Sequence, residues 1–166
     1  WLVKDSERQS YVWKKPESAE QLELIDWEEQ VMDDLAECNH VMKLVAGSQQ
    51  FLVDGAVQTG LIIPLMDGDV IKFLDEPTSV IARAYPKFES DLKEAVGCMH
   101  GKFWAHLDLS FQNIFYKMSA DKKNIDFVVG DFGSADQYMT TEAAASEDAA
   151  TFEMKLLSYK AAAGID

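Results

Sequence analysis

The chain of 166 residues is poor in the features that mark several protein classes. Only 15 Lys and Arg stand against 29 Asp and Glu, and the net charge of −14 disfavours nucleic acid or an anionic membrane as main partner, because phosphate would be repelled. The longest apolar runs, such as LIIPLM at 61–66, are too short to span a bilayer, and the N-terminus shows no secretory signal. These observations predict no membrane span and a cytoplasmic location.

Cysteine and histidine are also scarce, with two of the first and three of the second. Cys38 and Cys98 lie far apart in helix-like segments and show no ligand spacing with the histidines, so no zinc site is predicted. The pattern favours two buried free thiols in a reducing compartment over a disulfide. An ordinary apolar content of 48% predicts one compact unit or two small lobes.

Hydrophobic periodicity predicts an α+β chain with a β-rich first part and a mainly helical second part. In the first part we expect strands at 1–4 and 10–14, a helix at 19–38, and strands at 44–55 and 59–66. In the second part we expect helices at 70–74 and 88–103, strand-like runs at 114–116 and 125–129, and a helix in the second half of the Ala-rich tail. The apolar side of this last helix is predicted to contain Phe152, Leu156, Leu157 and Tyr159.

Two polar segments in the second part carry chemistry. HLDLSFQNIF (106–115) contains Asp108 and Asn113, and VVGDFGSA (128–135) places Asp131 at the end of an apolar run. All three side chains offer hard oxygen donors, which suit Mg²⁺ carrying phosphate rather than zinc. Gly133 is expected to turn the chain with a positive φ.

Together, HLDLSFQN and GDFG resemble the catalytic loop and metal loop of protein kinases. The preceding run, EAVGCMHGKFWAHLDL, is similar to the helix that leads into this loop in the family. The resemblance implies a bilobal protein-kinase-like fold. It has a small β-rich N-lobe with one helix at 1–66 and a truncated, mainly helical C-lobe at 67–166.

The resemblance also implies the cofactors and roles of these residues. Asp108 would be the catalytic base, or the group that orients a substrate hydroxyl. Asn113 and Asp131 would hold the Mg²⁺ ions that bridge the phosphates of ATP. His106 would steady the loop through packing and hydrogen bonds.

A lysine paired with a helix glutamate should supply a fixed cation for the phosphates. YVWKK (11–15) resembles the family's lysine strand and makes Lys14 the phosphate-binding, catalytic lysine, although a solvated pair at a strand end is the alternative. Glu28 and Glu29 compete as its partner. Glu28 is preferred because the positions three, four and seven residues further on are apolar, which places it on the core-facing side of the helix.

The segment LIIPLMDGDVIKFL (61–74) resembles the strand, hinge and short helix that hold adenine in kinases. Ile63 would be the gatekeeper, and the carbonyl of Pro64 would accept from the adenine amine. The amide of Met66 would donate to the ring, and Asp69 would reach the ribose. Pro64 has no backbone donor, which is tolerable where the residue serves only as an acceptor.

The chain departs from the family pattern at several points. No Gly-rich loop is present, and its expected place is immediately upstream of Trp1. Leu107 replaces the usual Arg, and Ser110 replaces a common Lys. No A-P-E motif follows GDFG, and Asp148 would be the buried acid that braces the catalytic loop. This reduced form resembles minimal kinase-like effectors that bacterial pathogens deliver into the host cytosol, with apicomplexan FIKK-type kinases as a second relative.

Three functions remain open at this point. The first is a Ser/Thr protein kinase that uses ATP and Mg²⁺ on a protein substrate. The second is a pseudokinase-like binding module that engages a host or regulatory partner protein with little or no catalysis. The third is a small-molecule phosphotransferase of the aminoglycoside or choline kinase kind, which GDFG disfavours.

The residue at position 107 generates a prediction about regulation. Leucine there removes the cation that would pair with an activation-loop phosphate, so we expect phosphotransfer activity to survive complete dephosphorylation. Activity measured before and after phosphatase treatment, with mass spectrometry to establish that no phosphate remains, tests this. Strict dependence on a loop phosphate would contradict it.

Overall fold

The protein is described by a computed structural model, in which the described residues are 1–16, 18, 22–53, 55–119, 121 and 123–165. Within these ranges the strands are β1 (Leu2–Lys4), β2 (Ser10–Lys14), β3 (Ala46–Val53), β4 (Ala56–Pro64), β5 (Gly68–Asp69), β6 (Trp104–Ala105), β7 (Ile114–Met118), β8 (Ile125–Val129) and β9 (Asp136–Gln137). The α-helices are α1 (Leu22–Asp34), α2 (Val70–Phe73), α3 (Thr78–Gly101) and α4 (Thr141–Ala162). The chain is therefore a mixed α+β protein with antiparallel sheets.

Two compact units share the chain. The first contains residues 1–36 and 42–65, and the second contains residues 37–41 and 66–166. The division predicted from sequence, 1–66 and 67–166, placed Met66 and residues 37–41 in the first unit. Met66 and residues 37–41 both group with the second unit. For residues 37–41 the reason is their contacts with α3 and β8, which are described below.

The first unit is a four-stranded antiparallel sheet in the order β1-β2-β4-β3, and α1 packs against β3 and β4. Trp13 and Leu61 are fully buried, and the Trp13 ring lies 4.7 Å from that of Phe51. The predicted strands are present with small shifts at their ends. The predicted helix at 19–38 is shorter, since α1 ends at Asp34, and residues 19–21 lie outside the described part of the chain.

Strands β2 and β4 approach closely beside Lys14, because β4 carries a glycine there. Lys14 pairs with Leu61 in the ladder, and the preceding residue is Gly60. A Cβ atom on Gly60 would lie 2.3 Å from the carbonyl oxygen of Lys14 and 2.5 Å from Trp13 Nε1. The strand β2, which carries Lys14, can therefore lie this close to β4 only because residue 60 has no side chain.

The core of the second unit is an aromatic cluster contributed by four elements. Phe73 of α2, Phe88 of α3, Phe127 of β8 and Tyr159 of α4 are all buried. Phe88 and Tyr159 stack with centroids 4.1 Å apart, and Phe127 meets Phe88 edge-on at 5.3 Å. Such ring pairs are favourable beyond the area they bury. This cluster fixes α3 and α4 against the strand that leads to Asp131.

The β7–β8 hairpin places the predicted catalytic loop and the predicted metal loop side by side. The strands β5, β7 and β8 form an antiparallel sheet in the order β5-β7-β8, in which Ile114 pairs with Val129. Asn113 directly precedes β7 and Gly130 directly follows β8, and the Gly130 amide donates to the Asn113 carbonyl at 2.9 Å. The register of one hairpin therefore joins segments that are separated along the sequence.

Several expectations about the second unit need correction. α3 begins at Thr78 rather than 88 and passes through Pro86, because burial of Ile81 and Ala84 outweighs the one backbone hydrogen bond that proline removes. α4 spans the whole Ala-rich tail, and Leu157 is 64% exposed instead of lying on the packed side.

The cysteines also differ from expectation. Cys38 and Cys98 form a disulfide with their Cα atoms 5.7 Å apart, so the expectation of free thiols is wrong for this structure. Sequence spacing did not reveal the pair, because the bond joins residues that only the tertiary fold brings together. Among the described residues, no helix is long and apolar enough to cross a membrane.

The close approach at Gly60 generates a stability prediction. Gly60→Ala should lower the free energy of unfolding by about 1–3 kcal/mol, because the added methyl meets backbone that cannot move away. The matched control is Gly97→Ala in α3, where an added Cβ meets nothing within 4 Å and helix propensity rises. Chemical denaturation of both variants measures this, and equal stabilities would contradict it.

Candidate active site

In the first unit, the predicted phosphate lysine is held by an ion pair. Lys14 Nζ lies 2.8 Å from Oε1 and 2.7 Å from Oε2 of Glu28. The Glu28 side chain is 5% exposed and that of Lys14 32% exposed, so the carboxylate is buried while the ammonium group reaches solvent. A buried carboxylate of this kind requires a cationic partner, which fixes the lysine side chain in one position.

The neighbouring acid has a different partner. Glu29 accepts from the backbone amide of Ser48 at 3.1 Å and 3.2 Å and from its hydroxyl at 2.5 Å. Glu29 therefore ties α1 to β3, whereas Glu28 faces β2. The helical periodicity that separated the two glutamates in the sequence corresponds to this difference in partners.

In the second unit, Asp108 and Asn113 form one hydrogen-bonded pair. The amide nitrogen of Asn113 donates to the Asp108 carbonyl at 2.8 Å and to its Oδ2 at 3.0 Å. Asn113 is buried, and Asp108 is exposed. The buried Asn113 amide therefore holds the exposed Asp108 through two hydrogen bonds.

His106 lies inside the same loop and is completely buried. Its Nδ1 accepts from the Asp108 amide at 3.3 Å, so Nε2 carries the proton that is donated to the Gly130 carbonyl at 3.1 Å. The ring also packs against Phe132, with centroids 5.4 Å apart. One imidazole thereby joins the loop of Asp108 to the loop of Asp131.

Burial keeps this imidazole neutral. Loss of hydration lowers the pKa of His106 below its ordinary value. The Gly130 carbonyl and the carboxylates of Asp148, Asp108 and Asp131 act in the opposite direction but do not outweigh burial. The hydrogen-bond pattern agrees, because a neutral ring both accepts at Nδ1 and donates at Nε2.

Asp148 of α4 anchors the backbone of the loop. It is 1% exposed, and its Oδ2 accepts from the His106 amide at 2.8 Å while its Oδ1 accepts from the Leu107 amide at 3.0 Å. His100 Nε2 lies 2.9 Å from the same Oδ2. Burial alone would raise the pKa of Asp148, but the hydrogen bonds from His100 and the two amides prevail and lower it. Asp148 is therefore an ionised carboxylate inside the protein.

His100 was not singled out from the sequence, where it matched no ligand or catalytic spacing. It lies near the end of α3, and the Asp148 partner is 48 positions away. No local pattern marks such a pair. His100 lies within EAVGCMHGKFWAHLDL, the run that resembles the kinase helix, but that resemblance assigned it no role.

The predicted metal loop differs from expectation in its backbone. Asp131, not Gly133, has the left-handed conformation, with φ 63° and ψ 72°. Gly133 lies within a 3₁₀ turn formed by Phe132–Ser134. Leu107 also has a positive φ of 61°. Left-handed conformations cost energy at residues other than glycine and persist where surrounding contacts impose them.

The donor chemistry fits Mg²⁺. Because the Asn113 nitrogen is committed to Asp108, its amide oxygen is the atom left for a cation. The exposed Asp131 carboxylate follows Gly130, whose amide is bonded to Asn113. Carboxylate and amide oxygens are the ligands that Mg²⁺ prefers, and a bound phosphate and water would complete its shell.

The predicted adenine-binding residues occupy two places. Ile63 and Pro64, both half-buried, form the end of β4, where they pair with Val12 and Tyr11. Met66 is half-buried in the second unit. Asp69 caps α2, with Oδ1 accepting from the Lys72 amide at 2.9 Å, so one of its oxygens already has a structural role.

Comparison of the chain with models of known protein families and with curated proteins finds no match. The roles assigned to these residues therefore depend on motif spacing and on the geometry within each unit.

The Asp148 anchor generates a prediction. Asp148→Asn should lower the free energy of unfolding by about 1.5–3 kcal/mol, because a charged acceptor of buried hydrogen bonds is removed. The matched control is Glu147→Gln, which changes the same charge at an exposed neighbouring position. Chemical denaturation compares the two variants. A similar small change in both would show that the buried carboxylate does not anchor the loop.

Proposed function

We propose that the chain is a minimal phosphotransferase of protein-kinase-like fold that transfers phosphate from ATP to Ser or Thr of a protein. The observation that carries this proposal is the Asp108–Asn113 pair, held beside the Gly130–Asp131 turn by hydrogen bonds. A chain that only binds a partner has no physical need for a solvent-facing carboxylate held in this way.

Asp108 would act on the substrate hydroxyl. Its carboxylate is exposed, and Asn113 bonds only Oδ2, so Oδ1 is the oxygen that would accept the hydroxyl proton or orient the hydroxyl for attack. The neutral His106 and the ionised Asp148 hold the backbone on either side of this residue. Their contribution is positioning, which is the main source of rate in phosphoryl transfer.

Asn113 Oδ1 and the Asp131 carboxylate are the proposed Mg²⁺ ligands. When bound, the metal would neutralise charge on the ATP phosphates. The protein would contribute the placement of the two residues, since the β7–β8 register brings Asn113 beside Gly130 and Asp131 follows Gly130. With few cations in the chain, such a site is needed before a polyanion can bind.

Lys14 would contact the phosphates of ATP, with Glu28 holding its side chain in place. Ile63, Pro64 and Met66 are the proposed adenine contacts, and Asp69 is the proposed ribose contact. Ser110 in place of the common lysine leaves fewer cations for the phosphates, so we expect a slow enzyme. Leu107 contributes no charge.

A binding module with little or no catalysis is the second candidate. The observation in its favour is the apolar surface of α4, where Met154 is 55% and Leu157 64% exposed. The two residues are three positions apart on the helix, which places them on one face. On this reading the acidic chain engages a partner protein.

A transfer assay with radiolabelled ATP and Mg²⁺ tests the proposal, using a library of peptides containing serine and threonine. Asp108→Asn should reduce transfer at least about 100-fold, as expected for loss of a general base, and Asp131→Ala and Lys14→Ala should also be severely impaired. Matched controls are Lys15→Ala and Glu29→Gln, which alter neighbouring charges.

The outcomes separate the two candidates. Transfer that is unchanged in Asp108→Asn and Lys14→Ala would overturn the kinase proposal. If Mg²⁺ and ATP raise the melting temperature of the wild type but no phosphate is transferred, the binding module is favoured.

A further inference from the structure

The segment Glu37–Val41 is bonded covalently to α3. The disulfide joins Cys38 to Cys98 across 60 residues, and it connects the two stretches of chain that make up the second unit. Cys38 is completely buried, whereas Cys98 is half-buried. Lys102 at the end of α3 lies 3.6 Å from Glu37 in a weaker contact.

The same segment lies along the edge of β8 that is not paired with β7. The Val129 amide donates to the His40 carbonyl at 2.8 Å, and Val41 forms a parallel bridge with Val129. His40 Nδ1 lies 3.2 Å from the Phe127 carbonyl. Asn39 donates to Glu94 of α3 at 2.8 Å. The segment therefore serves as a short extra strand beside the last residues of β8.

β8 leads directly into the loop with Asp131. Val129 is followed by Gly130, whose amide bonds Asn113 and whose carbonyl accepts from His106. A loss of hydrogen bonds at Val129, the last residue of β8, is therefore only two residues away from Asp131. The disulfide holds the segment that covers this end.

We propose that the Cys38–Cys98 disulfide is a redox-sensitive latch on the end of β8. A dithiol would reduce it in two steps. One thiolate attacks the sulfur of Cys98, the less buried partner, and displaces Cys38 as thiolate, which takes up a proton. The second thiol of the reductant then displaces Cys98, so that the protein gains two thiols and the dithiol becomes a disulfide.

Reduction removes the covalent link but leaves the weaker contacts of the segment. The segment then dissociates from β8 more often, because the closed loop no longer restricts the chain.

Amide hydrogen exchange measured by NMR tests the latch directly. In the oxidised protein, the Val129 amide should be protected by its bond to His40. After addition of dithiothreitol, we expect its exchange to accelerate at least about tenfold. The Phe127 amide is the internal control, because it is on the same strand edge but donates to Asp91 of α3 at 3.0 Å. Its exchange should change much less.

Two further measurements keep the test decisive. Alkylation under native conditions should label two thiols after reduction. In the Cys38→Ser/Cys98→Ser double variant, the Val129 amide should exchange as fast as in the reduced wild type, and dithiothreitol should not change this rate. The latch is overturned if no thiols form in the native protein, or if Val129 exchanges equally in both states. Both of these overturning outcomes are measured on the wild type, so the test of the latch does not depend on folding of the double variant.

Phosphotransfer measured in both redox states extends the test and rests on the proposed function. A lower rate in the reduced protein would link the latch to Asp131. A change in Val129 exchange without any phosphotransfer in either state would overturn the kinase proposal and leave the latch standing.

Discussion

The second unit depends on the buried carboxylate of Asp148. A backbone that turns through a left-handed residue such as Leu107 leaves amide groups that must find acceptors inside the protein. The carboxylate of Asp148, on α4, accepts from the backbone amides of His106 and Leu107. These two hydrogen bonds, together with His100, keep the carboxylate ionised. The loop that carries Asp108 is therefore shaped by a residue 40 positions later in the chain.

Hydrogen bonds extend this constraint to the loop that carries Asp131. His106 spans from the Asp108 amide to the Gly130 carbonyl, and the Gly130 amide returns to Asn113. Because the ring is buried and neutral, it links two loops without adding charge to a site already rich in carboxylates. The positions of Asp108 and Asp131 are consequently coupled through this hydrogen-bond network.

Much of this could be predicted from local patterns. Strand and helix periodicities located most elements, and helical spacing distinguished Glu28 from Glu29, which have different partners in the structure. Prediction failed where tertiary packing outweighs local preference. Pro86 lies within α3, Asp131 rather than Gly133 takes the left-handed conformation, and Cys38 bonds Cys98. The partner of Cys38 is 60 positions away in the chain, and burial of Ile81 and Ala84 supports α3 on the N-terminal side of Pro86.

The sequence by itself determined which residue types stand at which spacing. The acid and amide five positions apart, the aspartate after an apolar strand, the lysine strand and the acidic helix are all local, so periodicity and motif order are sufficient to find them. Only the tertiary structure decided which groups meet. The pairing of Asp148 with His100 and two loop amides, and the covering of β8 by the segment Glu37–Val41, depend on chain segments that packing brings together, and no local pattern encodes those distances.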